Sequence, residues 1–179
     1  MSGSGTVAQI GDFLDWYRRL PHRHKLLIAG NHDWLFELNN DSAREMAKGI
    51  VYLQDESVEI AGLKIYGSPW QPWFNDWAFN LQRGPQLKKK WDLIPADTDI
   101  LVTHGPPHGI GDKTDAGEVV GCEDLLRAVL RLRPKVHVFG HIHEGYGVHR
   151  RKDTPTVFVN ASICDAAYYP VNQPVVMDV

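Results

Sequence analysis

Cysteine is scarce in this chain of 179 residues, with only Cys122 and Cys164 present. They stand far apart and form no metal spacing. That excludes a disulfide framework and a thiolate metal site, and leaves free thiols suited to a reducing compartment. Long apolar runs are also absent. No stretch approaches the roughly 20 residues that cross a bilayer. The opening "MSGSGTVAQI" has neither a basic segment nor a long apolar one, so the expected location is the cytoplasm. Positive charge is not in excess. The 19 Lys and Arg against 22 Asp and Glu give a net charge of −3, which offers no field for nucleic acid or an anionic membrane. Repeats, low-complexity tracts and linkers are missing too, so residues 1–179 read as a single domain.

What is present is a globular composition, 43% hydrophobic and 23% charged, with 9 histidines. Imidazole is the commonest metal ligand and proton carrier, so the histidines carry more information than the cysteines. Val7, Ile10, Leu14 and Tyr17 recur at helical spacing over residues 6–20, and Pro21 stops that helix. Short apolar strands are expected at "KLLIA", "IVYL", "DILVT", "KVHVF" and "PVVMD". "SVEIAGLKIYG" reads as a hairpin turning at Ala61-Gly62, and "GYGVHRRKDTPTVFVNAS" as a second one. "WLFELNNDSAREMAKG" is helical in parts, with Gly49 as a C-cap. "PQLKKKWDLIP" and "CEDLLRAVLRLR" add further helices. Strands that alternate with helices and also form hairpins predict an α/β layered domain with a mixed sheet.

One pattern occurs three times. "LLIAGNHD" ends an apolar run on a Gly followed by Asn31, His32 and Asp33. "DILVTHGPP" ends on His104 beside a Gly. "VHVFGHIHEG" ends on a Gly followed by His141 and His143. Ligands in α/β sheets bind beyond the carboxyl ends of strands, and Gly permits close approach there. If the strands are neighbours, these side chains meet in one crevice. In an extended chain residues i and i+2 share a face, so His141 and His143 are both expected to point into it, each toward a different metal. Asn and His donors together suit a borderline divalent ion. His22, His24, His108, His137 and His149 lack the pattern and read as structural or solvated. His137 alternates with the strand core and is expected on the other side of the sheet.

"GNHD", "THGPP" and "GHIHEGYG" resemble the last three signature blocks of calcineurin-like metallophosphoesterases. "YLQDESVEIAGLKIYGSPWQPWFNDWAFNLQRG" and "VNAS" narrow the likeness to the metallophosphoesterase-domain-containing branch, which is similar to class III cyclic nucleotide phosphodiesterases. The resemblance implies a layered sandwich of mixed β-sheets flanked by helices. It also implies metal-dependent phosphodiester hydrolysis at a dinuclear centre of Mn, Fe or Zn. Asn31, His104 and His141 would bind one metal and His143 the other. His32 would be the catalytic imidazole, oriented by Asp33.

The family pattern opens with two earlier blocks, an Asp-x-His and a Gly-Asp that bridges both metals. Neither stands at the end of an apolar strand here. "GDFLD", Gly11 to Asp15, matches only in letters, because it lies inside the first helical pattern with Asp12 on the polar face. Asp112, Asp115, Glu144 and Asp165 read as loop residues. The expectation is an N-terminally incomplete domain whose first strands lie upstream of Met1, weak or inactive by itself, holding one metal or none. An open sheet edge would then favour self-association. The expected substrate is a small phosphodiester or nucleotide. The alternatives are a non-catalytic metal- or nucleotide-binding module, or a fragment that associates with another chain. The rings of Trp70, Trp73, Phe74 and Trp77 have two readings, a stacking surface for a nucleobase or a satellite core under the loop.

Overall fold

The structure, a computed structural model, describes residues 3–179; the start at Met1 lies outside the described residues. Helix α1 (Val7–Arg19) begins at a capping box, in which the Thr6 hydroxyl accepts from the Gln9 N–H and the Gln9 side chain returns to the Thr6 backbone. Ile10 and Leu14, one helical turn apart, are fully buried. Asp12 is exposed and Asp15 pairs with Arg18 at 2.9 Å. The "GDFLD" letters are therefore a solvated helix face. Strand β1 (Leu26–Leu27), helices α2 (Trp34–Leu38) and α3 (Asn40–Met46), and strand β2 (Val51–Tyr52) follow. β1 and β2 pair in parallel. Leu27, Ala29, Phe36, Ala43 and Tyr52 join Ile10 and Leu14 in one apolar core.

Strands β3 (Glu56–Ile60) and β4 (Leu63–Ser68) form the first hairpin. Its turn falls on Ala61 and Gly62 with φ of 53° and 78°, the left-handed pair that matches strand twist. Short strands β5 (Gln71–Pro72) and β6 (Asn80–Leu81) bracket the aromatic loop. Helix α4 (Pro85–Trp91), strand β7 (Ile100–Thr103), helix α5 (Glu123–Leu132) and strand β8 (Val136–Phe139) come next, then β9 (Gly147–Arg150) and β10 (Val157–Asn160). The large sheet runs β3-β4-β7-β8-β10-β9, with its inner pairs parallel and an antiparallel hairpin at each edge. "PVVMD" forms no strand; residues 171–179 carry no regular structure.

Tyr66, Leu101, Phe139 and Phe158 from the large sheet pack with Leu87, Trp91, Leu125 and Val129 from α4 and α5 in a second core. The other face of the sheet meets the β1–β2 layer. At Gly67 a Cβ atom would lie 2.5 Å from Leu53 Cβ and 2.8 Å from Ile28 Cγ2. The absence of a side chain on β4 is thus what lets the two sheets close. The result is a helix–sheet–sheet–helix sandwich, the α/β architecture expected from the alternation of elements. Asp55, held at φ 56°, ties the layers at the end of β4. Its carboxylate accepts from Ser68 Oγ at 2.7 Å, Trp70 Nε1 at 2.8 Å and Lys90 Nζ at 2.7 Å. Lys90 also lies over the Trp70 ring at 4.2 Å.

His137 is fully buried between the registers of Leu101 and Phe158, on the side opposite Val136 and Val138. Thr103 Oγ1 donates to the Gly105 carbonyl, so it accepts from His137 Nε2–H at 2.8 Å. Burial lowers the His137 pKa from 6.5 to about 3. Between those limits the unfolded chain binds a proton that the fold refuses. Stability is therefore unaffected by this ring above pH 6.5 and falls on acidification below it, by about 1.4 kcal/mol per pH unit. Denaturant titration of His137→Phe against the parent chain from pH 7 to about 4.5 is expected to show a shallower acid loss in the variant, by roughly 2–3 kcal/mol. Parallel curves would remove His137 as the cause.

Candidate active site

Gly30 sets the first contact. A Cβ atom there would lie 2.6 Å from Cε1 of His104, so only Gly lets the end of β1 lie flush against the imidazole at the end of β7. Asn31 is buried, and its Oδ1 lies 2.8 Å from His104 Nε2. The same nitrogen is 3.1 Å from Nδ1 of His141. Three side chains from three strand ends thus bring an amide oxygen and two imidazole nitrogens to one point. Gly140 N–H donates to the His104 carbonyl at 2.9 Å, which locks the end of β8 to the end of β7.

His104 and His141 are both partly buried. Desolvation holds His104 well below its usual range, and His141, His32 and His143 add to the shift. Desolvation likewise brings His141 down to about 4, with His143 and His32 contributing. Both imidazoles are therefore neutral near pH 7, the form with a lone pair to give.

The expected geometry of His141 and His143 rested on an extended backbone, and the backbone is not extended. His141 has φ 72°, a left-handed conformation that costs free energy for a non-Gly residue, and His143 opens a 3-10 turn, His143–Gly145. The Nδ1 of His143 lies 2.7 Å from the Asp165 carbonyl. A carbonyl only accepts, so Nδ1 carries the hydrogen and Nε2 keeps the lone pair. His32 is held in the same way, with Nδ1 2.9 Å from the Gly3 carbonyl. A backbone carbonyl thus helps orient His32. Asp33 is buried and accepts from the Gly30 N–H at 2.7 Å, which fixes the turn carrying Asn31.

Sequence reasoning missed Asn160. It is fully buried at the end of β10, and its Nδ2 donates to the Ile142 carbonyl at 2.7 Å and the Gly111 carbonyl at 3.0 Å. It therefore holds the peptide between His141 and His143. The signal was available, because "TVFVN" is a fourth apolar run that ends on a metal-ligand type of side chain. Asp112 is a staple of the Gly/Pro-rich loop, accepting from the N–H groups of Gly109 and Gly121 at 2.8 and 2.9 Å. Asp115, Glu144 and Asp165 flank His143 in a cleft of 460 Å³. A larger cavity, 580 Å³, lies among Lys64, Asp97, Asp99 and Lys135 at the opposite ends of the strands, where Lys64–Asp97 and Lys135–Asp99 neutralise one another.

The aromatic loop divides between its two readings. Trp70 packs against both cores. Trp77 lies on the His32 ring with centroids 4.3 Å apart, and Phe74 meets the His141 ring edge-on at 6.2 Å.

The profile of the Calcineurin-like phosphoesterase family matches residues 4–145. The chain belongs to the calcineurin-like phosphoesterase family. It is 43% identical to metallophosphoesterase domain-containing protein 1 of Homo sapiens and of Mus musculus, over 97% of this chain and 60% of each relative. A UPF0046 protein of Caenorhabditis elegans is 38% identical over 98% of this chain and 51% of its own length. The chain thus spans little more than half the length of these relatives. A solved structure with 18% identity aligns with a TM-score of 0.65, covering 87% of this chain and 63% of that one, which establishes the fold. As a calcineurin-like phosphoesterase, the chain comes from a family of metal-dependent phosphoester hydrolases.

Within this fold the Asn160 bonds predict a measurable role. Asn160→Ala leaves the Gly111 and Ile142 carbonyls without that donor, and buried polar groups left so cost about 1–3 kcal/mol. Chemical denaturation is expected to show a loss of that size. Unchanged stability would mean that the His141–His143 peptide holds its place without Asn160.

Proposed function

We propose that this chain carries the metal-binding and proton-transferring part of a phosphodiesterase site. The observation that supports it is the convergence of Asn31 Oδ1, His104 Nε2 and His141 Nδ1. This neutral donor set fits one divalent ion of the Mn, Fe or Zn class, for which amide oxygen and imidazole are ordinary ligands. Gly30 leaves no space on the far side of the His104 ring, so that ring is fixed facing the other two donors. His143 belongs to the second position of a dinuclear centre. Its Nδ1–H on a carbonyl leaves Nε2 aimed elsewhere, the arrangement that orients a ligating His. Among the described residues no group of three or more His, Cys, Asp or Glu is placed to hold a metal, and the candidate donor set departs from that type by using Asn31.

When bound, divalent ions would polarise phosphoryl oxygens and make water ionisable near neutral pH. The remaining work falls to the chain. Asn31 and the imidazoles position the phosphate-bearing end of the substrate. His32, with Nδ1–H fixed on the Gly3 carbonyl, holds or releases a proton at Nε2. The Trp77 ring packs against the His32 ring at a tilt, with centroids 4.3 Å apart. A small phosphodiester or nucleotide substrate is the reading that the resemblance to cyclic nucleotide phosphodiesterases favours.

Calorimetric titration with manganese separates the roles. His104→Ala is expected to weaken binding at least about tenfold, since it removes the central donor. His32→Ala is expected to spare manganese affinity and to lower phosphodiester turnover by roughly 10²–10⁴-fold where turnover is measurable. Unaltered manganese affinity in His104→Ala would overturn the ligand assignment. Loss of manganese in His32→Ala would make His32 a ligand instead.

A further inference from the structure

The site has two unlike flanks. On the His143 side stand Asp115, Glu144 and Asp165, whose charges disfavour any anionic extension of a substrate. On the other side stands the loop between β5 and β6. Its outer rings, Trp73 and Phe74, are each 54% exposed. Single exposed rings are ordinary on a protein surface. These two are adjacent, and Phe74 reaches the ring of a candidate metal ligand.

The loop is also held in place by more than its own strands. Ala78 N–H donates to the Asn31 carbonyl at 3.0 Å, so the loop is anchored on a site residue. Asn80 grips its tip. Its Nδ2 donates to the carbonyls of Phe74 at 3.2 Å and Asn75 at 3.0 Å, and its Oδ1 accepts from the Phe74 N–H at 3.3 Å. Behind it the buried Gln71 donates from Nε2 to the same Oδ1 at 3.0 Å. Asn75 takes φ 49° to make the turn. Packing into a core would have removed the two rings from water. Instead this network leaves both rings in water, with Phe74 against His141. A rigid aromatic surface next to a phosphate-handling site matches one kind of occupant, a flat uncharged organic group attached to that phosphate.

We propose that Trp73 and Phe74 are specificity-determining residues that seat the planar group, aryl or nucleobase, of a phosphoester substrate. The inference rests on the phosphodiesterase reading above and adds to it which end of the substrate lies on which flank. Asn80 holds the backbone that carries Phe74.

The test is binding rather than turnover. Phenyl phosphate, methyl phosphate and inorganic phosphate are titrated into the manganese-supplemented chain by calorimetry, with tryptophan fluorescence as a second readout. Phenyl phosphate is expected to bind at least about tenfold tighter than methyl phosphate, the scale of one aromatic stack, and to quench fluorescence. In Phe74→Ala and Trp73→Ala that advantage is expected to shrink severalfold or more, with inorganic phosphate affinity unchanged. Phe74→Leu keeps apolar bulk but loses the aromatic face, and is expected to fall between; its circular dichroism melt controls for folding. A phenyl advantage retained in all three variants overturns the assignment. So does an equal loss for all three ligands, which would make the loop a support for the site. Phosphate binding without any phenyl preference in the parent chain overturns this inference alone. Failure to bind any of the three removes the phosphodiesterase reading with it.

Discussion

The contact between Gly30 and the His104 imidazole is the constraint on which the site depends. It joins the end of a strand in the small sheet to the end of a strand in the large one, and it tolerates no Cβ. Gly67 applies the same condition within the layers, where Leu53 and Ile28 fill the space a side chain would take. Both glycines matter for what they omit. Close approach of two sheets brings strand ends from different layers within hydrogen-bond reach, and the donors of Asn31, His104 and His141 follow from that approach.

Neutrality is the second property of the crevice. Desolvation opposes protonation of His104 and His141, and each neighbouring imidazole opposes it further. The backbone supplies much of the orientation. Carbonyls of Gly3 and Asp165 fix the tautomers of His32 and His143, and Asn160 fixes the carbonyl of Ile142 between the two loop histidines. Carboxylates instead serve the turns and layers. Asp33 closes the turn at Gly30, Asp112 closes the loop after β7, and Asp55 ties β4 to Trp70 and Lys90. The strained φ of His141 is held by the Asn160 bond to the next carbonyl and the Gly140 bond to His104, which is how a fold sustains such a conformation.

The elements were largely legible from residue pattern. The 3.6-residue period of Ile10 and Leu14 placed α1, the Ala61-Gly62 pair placed the hairpin turn, and Pro85 opened a helix that formed where expected. The final strand at "PVVMD" did not form, because an apolar run makes a strand only where a sheet edge receives it. The pairing of His141 with His143 was read from a strand period, whereas the chain there turns through a left-handed residue.

By itself the sequence determined which chemistry the chain can offer. Apolar runs ending in Gly beside Asn or His specify strand ends with ligand-type side chains, since local periodicity and backbone freedom are properties of a few neighbouring residues. Only the tertiary structure decided which of these side chains meet. Asn31 and His104 are brought together by sheet stacking, and the roles of Gly3, Asp165 and Asn160 depend on loops far apart in the chain. It also decided the aromatic loop. Trp70 and Trp77 found cover, one in the cores and one on His32, while Trp73 and Phe74 stayed at the rim. Composition alone cannot separate such rings, because burial is a property of the surface each ring finally meets.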